Sequence, residues 1–394
     1  MGRYDFDKIV ERKGTSSLKY DFAMKRAGRE DLLPLWVADM DFALPEEVLE
    51  PVKKRTDHGI FGYTDPTDDY FDTLEKWFEK RYHVSIDREW NTVTPGVVYA
   101  LSVAIRAFTE AGDSVLIQEP VYYPFREMIE TNQRRCVNNQ LVLKDGHYEI
   151  DFEAFEQKIR DEKVKLFLLC SPHNPAGRVW TADELRRAAD ICLKYDVTIV
   201  ADEIHCDFVY PGNTFVPVLS LDESYRKNLI VCTSASKSFN IAGFQVANIL
   251  IPDPDLRARF KYVNAATGYS QANTLGLVAT KAVYDLGEEW LDEMLAYLKG
   301  NLDYIRDFLK EKLPQIKLIE PEGTYLIWLD FSEVVKNYDE LKKLIYDEAH
   351  LWLDDGAIFG EETAMFERIN IACPRSILEQ AMKQLEEAVR EHTC

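Results

Sequence analysis

The stretch NLIVCTSASKSFNIAG, residues 228–243, joins an apolar run to a turn that carries a lysine. The run Leu229 to Cys232 is typical of a strand buried on both faces in a parallel sheet. Just after it, Lys237 stands among small hydroxyl side chains. A lysine held against apolar walls loses hydration, so its pKa falls and its amine becomes a nucleophile able to form an imine with an aldehyde. Ser234 and Ser236 are candidates to donate hydrogen bonds to a phosphate. For an isolated lysine, a solvated polar turn is the simpler interpretation. The residues that follow the other predicted strands must therefore show whether Lys237 belongs to a site.

The composition narrows the class of protein. The chain has 394 residues, of which 46% are hydrophobic, and its 47 basic and 68 acidic residues give a net charge of -21. Such a charge repels nucleic acid and anionic membranes, so neither is an expected partner. No apolar run is long enough to span a membrane, and the first residues lack the pattern of a signal peptide. Seven cysteines without a CxxC pair indicate buried thiols in a reducing cytoplasm.

The order of apolar patterns predicts an α/β fold. From SVLIQE to VTIVADE, strand-like segments, among them CVNNQLVL, alternate with helix-like segments, which is typical of a doubly wound, mostly parallel sheet. A long amphipathic segment, 288–312, then leads into a further set of strands and helices, including a helix over 338–349. We therefore predict three parts: an N-terminal arm, 1–45, packed with the smaller domain; a large domain, 46–287; and a smaller α/β C-terminal domain, 288–394.

Polar residues that follow the apolar runs are the candidate site, because ligands of doubly wound sheets bind outside the carboxyl ends of the strands. Asn174 follows VKLFLLC, Asp202 and His205 follow VTIVA, and TPGVV opens a helix whose amides at Val97 and Val98 can hold an anion. Taken singly, these are ordinary features: a turn former, a strand-end cap and a helix start. Together with Lys237 they match what pyridoxal phosphate requires.

Five motifs resemble one known family: SASKSFNIAG, HNPAGRVWT, DEIHCDF, TPGVVYA and WVADMDF. They look like the cystathionine beta-lyases of the MalY and PatB type, within the fold-type I pyridoxal phosphate enzymes, and the resemblance runs from about Trp36 to Arg375. It implies Lys237 as the Schiff-base lysine, Asp202 as partner of the pyridinium nitrogen and Asn174 as donor to the ring hydroxyl. It also implies that Tyr122 stacks on the pyridine face, as a second catalytic residue, and that Arg368 takes the substrate carboxylate.

Several of these assignments leave alternatives open. Arg368 lies in the apolar run MFERINIAC and needs an anion, but a structural Asp or Glu partner satisfies it as well as a substrate does. Aspartate aminotransferases carry a tyrosine and an arginine where this chain has His205 and Gln245. Without that arginine the site binds the phosphate less tightly. His205 either interacts with the ring hydroxyl of the cofactor or supports Asp202 on the side away from the ring. No spacing groups His173, Asp202 and His205 as ligands, so no metal is predicted.

The resemblance implies a lyase that splits the carbon-sulfur bond of cystathionine or related cysteine conjugates into a thiol, pyruvate and ammonia. An aminotransferase would share every cofactor residue, so it remains the alternative. A regulatory protein that binds a transcription factor is an alternative of another class. In the resembled family, a tyrosine in an FGYT segment reaches the phosphate of the neighbouring subunit. Tyr63 is therefore expected to complete a shared active site in a homodimer, and a plain surface or core tyrosine is the other interpretation.

Overall fold

The computed structural model describes residues 2–392. Fifteen strands are described within that range, most of them short. They are β1 (Leu33–Pro34), β2 (Asn91–Thr94), β3 (Ser114–Ile117), β4 (Arg135–Asn138), β5 (Val142–Lys144), β6 (His147–Glu149), β7 (Val164–Cys170), β8 (Thr198–Asp202), β9 (Leu229–Thr233), β10 (Ala247–Leu250), β11 (Lys317–Ile319), β12 (Leu326–Asp330), β13 (Leu351–Trp352), β14 (Asp354–Asp355) and β15 (Phe366–Asn370).

Helices connect the strands and cover the sheets. They are α1 (Ala23–Ala27), α2 (Glu46–Asp57), α3 (Asp68–Tyr82), α4 (Val97–Phe108), α5 (Pro124–Thr131), α6 (Phe152–Asp161), α7 (Ala182–Lys194), α8 (Ala235–Ser238), α9 (Pro254–Ala266), α10 (Thr274–Leu286), α11 (Glu288–Lys312), α12 (Tyr338–Lys342) and α13 (Arg375–His392). Between residues 2 and 392, no helix is both long and apolar enough to cross a membrane.

The large sheet has seven strands in the order β2-β10-β9-β8-β7-β3-β4. The pairs from β9 to β4 are parallel, and only β10 runs antiparallel to its neighbours β2 and β9. Because the parallel strands point the same way, the segments that follow β7, β8 and β9 meet at one edge of the sheet. This topology confirms the predicted doubly wound, mostly parallel α/β sheet.

Helices cover both faces of this sheet, which is why its central strands β7, β8 and β9 are largely apolar. In β9, Ile230 and Cys232 join the cluster under α4, while Leu229 and Val231 join the core on the opposite face, which α7 covers. Successive side chains of a strand point to opposite faces, so a strand buried on both sides carries apolar side chains at most of its positions. Every residue of β9 is accordingly buried.

A smaller antiparallel sheet, β11-β12-β15-β14, forms the core of the C-terminal region together with α11 and α13. The N-terminal segment contacts this region through β1, which pairs in parallel with β13. It also reaches α11, because the amides of Arg3 and Tyr4 donate to Glu293. The division at residues 45 and 287 stays a prediction, and residues 1, 393 and 394 of its ranges lie outside the described part.

Two local predictions differ from the structure. CVNNQLVL, expected as one strand, is divided between β4 and β5. The Asn138 amide donates to Glu119 and Gln140, and the Asn139 amide donates to the Asp151 carbonyl, so both polar side chains bond away from a continuous ladder. The helix expected over 338–349 begins as α12 and continues as a π-helix, Lys343–Glu348.

Candidate active site

A cavity of about 470 Å³ opens at the carboxyl edge of the large sheet. Segments that follow β2, β7, β8 and β9 line it, together with parts of the N-terminal segment. Its lining includes Leu18, Ala38, Val97, Val98, Tyr122, Asn174, Asp202, His205, Ser234, Ser236, Lys237 and Gln245. The structure thus brings to one cavity nine of the eleven predicted site residues; Arg368 lies behind Asn174, and Tyr63 lies elsewhere.

Lys237 lies in the short helix α8, one turn beyond the end of β9. Its Nζ donates a hydrogen bond to the Ala38 carbonyl at 2.7 Å. Burial lowers the pKa of the Lys237 amine to about 8, and the carboxylates of Asp39 and Asp202 oppose that fall. At neutral pH a useful fraction of the amine is therefore unprotonated, as a nucleophile or a proton acceptor must be.

Asp202 ends β8 and is buried beneath the cavity. Its Oδ1 accepts a hydrogen bond from the Ile204 amide at 3.1 Å. Burial raises the pKa of Asp202 to about 6, while that amide and the Lys237 charge oppose the rise. A buried carboxylate with so few donors is well suited to accept a hydrogen bond from a cationic ring nitrogen.

His205 is fully buried, and burial lowers the pKa of its imidazole well below the usual value, so the ring is neutral. It packs against the rings of Phe208 and Tyr325, and its Nδ1 has no hydrogen-bond partner among the described residues. Within residues 2–392, no hydrogen bond joins His205 to Asp202. This geometry gives no support to a bracing role for His205, and its orphaned nitrogen is available to a ligand.

The lining of the cavity also includes groups that can donate hydrogen bonds to an anion. The first amides of α4, at Val97 and Val98, face no carbonyl of a preceding turn, so they can hold an anion. The Ser236 hydroxyl lines the same space. Ser234 is different from the expectation, because its hydroxyl donates to the Val246 carbonyl at 2.6 Å and accepts from the Ser236 amide. As oriented here, Ser234 orders the turn rather than offering its proton to a phosphate.

Arg368 is buried and tied on several sides. Its guanidinium donates to the Asn174 Oδ1 at 3.0 Å and to the Trp36 carbonyl at 2.9 Å, and it forms an ion pair with Asp354. The Nε atom has no partner among the described residues. The sequence left open whether Arg368 serves a structural carboxylate or a substrate; the structure supplies the carboxylate and leaves one donor for a further anion.

Tyr122 follows β3 and lines the cavity. Its ring contacts those of Tyr123 and Phe125, with centroids 5.5 and 6.2 Å apart. Burial raises the pKa of its hydroxyl, with the Asp202 carboxylate adding to the effect, so the phenol is protonated. An aromatic face at this position can stack on a flat ligand.

Tyr63 lies outside the cavity and is 96% exposed. It borders a surface depression with Gly62, Thr64 and the segment 268–274. Thr64 holds that segment through a hydrogen bond to Thr274 at 2.8 Å. Within this chain Tyr63 is therefore a surface residue, and its predicted reach into a neighbouring subunit stays a prediction.

Sequence reasoning missed two contributors to the site. Ala38 contributes only its backbone carbonyl, and no residue type signals that role. Asp354 was not named, although strand pairing makes it traceable: it lies directly opposite Arg368 in the β14–β15 register. The structure finds no group of three His, Cys, Asp or Glu residues between residues 2 and 392 that could hold a metal ion.

Comparison with known proteins agrees with this geometry. The sequence model of the family described as aminotransferase class I and II matches residues 30–385. Cystathionine beta-lyase PatB of Bacillus subtilis is 41% identical over 385 residues, covering 98% of this chain and 100% of the relative. Protein MalY of Escherichia coli is 35% identical, covering 98% and 99%.

Among solved structures, cystalysin of Treponema denticola, which contains a pyridoxal 5'-phosphate cofactor, superposes with a TM-score of 0.95. The two chains are 39% identical, and the match covers 98% of this chain and 99% of cystalysin. Both kinds of comparison span nearly the full length and confirm the resemblance seen in the five motifs. The chain therefore belongs to the aminotransferase class I and II family and, within it, to the cystathionine beta-lyases of the PatB and MalY type.

Proposed function

We propose that this protein is a pyridoxal phosphate-dependent carbon-sulfur beta-lyase. It cleaves L-cystathionine and related cysteine S-conjugates to a thiol, pyruvate and ammonia. The named activity of PatB and the cofactor of cystalysin support the assignment. The observation in this chain that carries it is the buried Lys237 amine, with its lowered pKa, in the same cavity as the Asp202 carboxylate.

The residues present fit pyridoxal phosphate. Asp202 is a buried carboxylate that still needs a cationic donor, and it would hold the ring nitrogen. The amides of Val97 and Val98 and the Ser236 hydroxyl would hold the phosphate, and Tyr122 would cover one face of the ring. When bound, the cofactor supplies an electron sink for the substrate alpha carbon.

Residues of the chain do the rest of the chemistry. We assign the Lys237 amine as the base that takes the alpha proton, since an amine of pKa about 8 can both accept and return a proton near neutral pH. Arg368 would bind the substrate carboxylate and fix the direction of the alpha proton. Asn174 accepts a hydrogen bond from Arg368 through its Oδ1, so its NH2 group would be the part that donates to the ring hydroxyl.

The chemistry of the leaving group favours elimination over transamination, the reaction of the alternative aminotransferase. When the bond from the beta carbon to sulfur breaks, the electron pair departs with the thiolate, and water completes the release of pyruvate and ammonia. A thiol has a pKa of about 8.5, so thiolate leaves far more readily than hydroxide. Elimination needs no second substrate, whereas an aminotransferase must admit a keto acid to return to its starting form.

The test is whether pyruvate forms from cystathionine when no keto acid is present. Steady-state rates would be compared across cystathionine, cystine and cysteine, with and without 2-oxoglutarate, using Lys237→Ala as the blank. We expect pyruvate in stoichiometric amount with thiol and no dependence on 2-oxoglutarate. If pyruvate is absent while 2-oxoglutarate is converted to glutamate at a good rate, the aminotransferase takes the place of the lyase.

We also propose a homodimer with shared active sites. Several large apolar side chains near Tyr63 are exposed: Ile60 by 66%, Phe61 by 55% and Tyr63 by 96%. A second copy that covers them would bring Tyr63 to the phosphate end of its neighbour's cavity. Sedimentation should show a dimer, and a fully active monomer would contradict the proposal.

A cytoplasmic location is the last part of the proposal. The six cysteines within the described range are all unpaired, and five of them are buried. Thiols persist in this state in a reducing compartment. Fractionation of the source cells should recover the protein in the cytoplasmic fraction, and recovery elsewhere would contradict this placement.

A further inference from the structure

Residues 36–41, which we call the strap, border the cavity through Ala38, and their carbonyls accept hydrogen bonds from neighbouring side chains. The Trp36 carbonyl accepts from Arg368 at 2.9 Å. The carbonyls of Val37 and Asp39 both accept from the Asn370 side chain, at 2.7 and 2.6 Å. The strap is thus attached to β15 at three points.

The strap also contacts the reactive lysine. The Ala38 carbonyl accepts one hydrogen bond from the Lys237 Nζ at 2.7 Å and another from the Tyr325 hydroxyl at 2.9 Å. A carbonyl that accepts from an amine stabilises the charged form and fixes the direction of its nitrogen. The position of the strap therefore sets where the Lys237 amine lies when it is not bonded to a ligand.

Two cations from earlier in the chain also bond to the strap. Arg12 donates to the Asp39 Oδ2 and the Asp41 Oδ1, both at 2.7 Å, and to the Met40 carbonyl at 3.2 Å. Lys19, whose side chain is 0% exposed, donates to the Asp41 Oδ2 at 2.7 Å. These contacts form a closed cluster of two cations and two carboxylates.

The cluster fixes the backbone next to the Ala38 carbonyl. A buried ammonium such as that of Lys19 is tolerated only with a close anion, and removing one partner leaves an uncompensated charge. The fork of Arg12 bonds two carboxylates two residues apart, which fixes the backbone between them. That backbone includes Asp39 and Met40, next to the Ala38 carbonyl.

We propose that Arg12 and Lys19 are positioning residues of the active site, which clamp the strap through Asp39 and Asp41 so that the Ala38 carbonyl receives the Lys237 amine. The proposal rests on the proposed function only in taking Lys237 as the reactive lysine. It gives the N-terminal segment a role in catalysis without contact between either cation and the substrate.

The clamp also affects the charge of the amine. Burial lowers the pKa of Lys237, and Asp39 is the strongest of the charges that act on it. The titratable groups around the amine come from several elements: Asp39, Asp202, His205, Tyr325 and Arg368. If the strap moves away, the amine loses both the Ala38 acceptor and the Asp39 charge, so its pKa falls further.

The experiment measures the Lys237 amine directly in cofactor-free protein. Reductive methylation at a series of pH values, followed by mass spectrometry of the Lys237 peptide, gives the midpoint at which the amine becomes reactive. For the unaltered chain we expect a midpoint of about 8. Arg12→Met should lower it by about half a unit or more and should speed amide exchange in residues 36–41. In the loaded enzyme, kcat/KM should fall about ten- to a hundredfold.

Arg3→Met is the matched control. Arg3 belongs to the same N-terminal segment and pairs with two carboxylates, Glu47 and Glu289, but it is 55% exposed and does not touch the strap. This variant should leave the midpoint and the exchange of residues 36–41 unchanged. Arg12→Lys keeps the charge without the fork, so it should recover the midpoint only in part.

Three outcomes would overturn the proposal or move its test. An unchanged midpoint in Arg12→Met, with a lower melting temperature alone, would make the cluster merely structural. A raised midpoint would mean that the strap stays in place and only a compensating charge was lost. If Arg12→Met does not fold, Lys19→Met carries the same test, because Asp41 keeps Arg12 and the Tyr20 hydroxyl as partners. The labelling needs no substrate, so the lyase assignment can fail without affecting it.

Discussion

The interior of the cavity and the exposed edge at Tyr63 are built in opposite ways. Inside, Asn174 and Arg368 are buried and Lys237 is half-buried with its amine enclosed, and each is bonded to a named group of the same chain. At the edge, Tyr63 is 96% exposed. The interior is thus preorganised by one copy of the chain, whereas the edge is a surface whose proposed role requires a second copy.

The difference in burial predicts a difference in energetic scale. A buried charge that loses its partner costs several kcal/mol, because no water replaces the lost contact. A hydroxyl at an edge loses about one net hydrogen bond, and water can replace it. Substitutions inside the cavity should therefore be severe and those at the edge modest, and the following predictions proceed in that order.

The largest effect is expected for Lys237→Ala. Removing the amine removes the proposed base and the covalent attachment of the cofactor, so kcat should fall by about 10²- to 10⁴-fold. Steady-state pyruvate release measures this loss. The variant should still retain some cofactor, because the proposed ring and phosphate contacts remain.

Borohydride treatment provides the control for that variant. In the unaltered protein it should fix the cofactor to one peptide, the one that contains Lys237, and in Lys237→Ala it should fix none. A colourless protein that stays colourless with added pyridoxal phosphate would contradict the assignment of the cavity as a pyridoxal phosphate site.

Arg368→Ala should give the next largest loss. It removes the proposed carboxylate contact and leaves Asp354 without its cation. The fall in kcat/KM should correspond to a loss of about 2 to 5 kcal/mol in transition-state stabilisation. Asp354→Asn is the matched comparison, because it keeps Arg368 and an acceptor in place of the carboxylate. If Asp354→Asn matches Arg368→Ala in kcat/KM, the arginine acts through its ion pair rather than through the substrate.

Asp202→Asn should weaken cofactor binding by about 1.5 to 3 kcal/mol, the range for a hydrogen bond to a charged group. In the cofactor-free protein the pKa of Asp202 is raised to about 6, so protonation below that pH removes the anion that the ring nitrogen needs. Cofactor affinity should therefore fall as the pH drops through about 6. The phosphate titrates in the same range, and Asp202→Asn retains only that part of the dependence. Equal pH profiles for both proteins would contradict the role of Asp202.

The interior was largely predictable because of how strands end. Asn174, Asp202 and Lys237 each follow an apolar run, and parallel strands carry such positions to one edge. The sequence did not reveal contacts made by backbone atoms or contacts that depend on strand register. The Ala38 carbonyl belongs to a segment without periodicity, and Asp354 reaches Arg368 only through the pairing of a two-residue strand.

Side-chain competition also limited the prediction. Ser234 and Ser236 read alike in the sequence, yet the Ser234 hydroxyl is used by the backbone of its own turn and by Val246. Whether a hydroxyl serves a ligand or a local cap depends on rotamer and neighbouring carbonyls. The exposed surface around Tyr63 was less predictable still, because one sequence does not show which surface a second copy covers.

The smallest effect is expected for Tyr63→Phe, at the edge. Loss of one hydroxyl that bonds a phosphate should weaken cofactor retention by about 0.5 to 1.5 kcal/mol, or somewhat more for a charged acceptor. The measurement is the dissociation constant of the cofactor, with kcat at saturating cofactor as the companion. Because the ring remains, the apolar contact area in the proposed dimer is preserved, and sedimentation should be unchanged.

Tyr262→Phe is the control for this edge, since Tyr262 is 79% exposed and lies outside the cavity lining. It should leave cofactor retention unaltered. If Tyr63→Phe behaves like Tyr262→Phe, Tyr63 is a plain surface tyrosine and each chain holds its phosphate alone.

A mixed dimer tests the same edge without relying on the size of the effect. When Tyr63→Phe chains are paired with Lys237→Ala chains, each dimer has one site with an intact lysine, and that lysine belongs to the chain whose own Tyr63 is substituted. If sites are shared between subunits, this active site receives the unaltered Tyr63 of the other chain and binds the cofactor as tightly as the unaltered protein. If sites are not shared, it contains the Tyr63→Phe substitution and shows the weaker affinity. The cofactor affinity of the single active site therefore distinguishes the two arrangements.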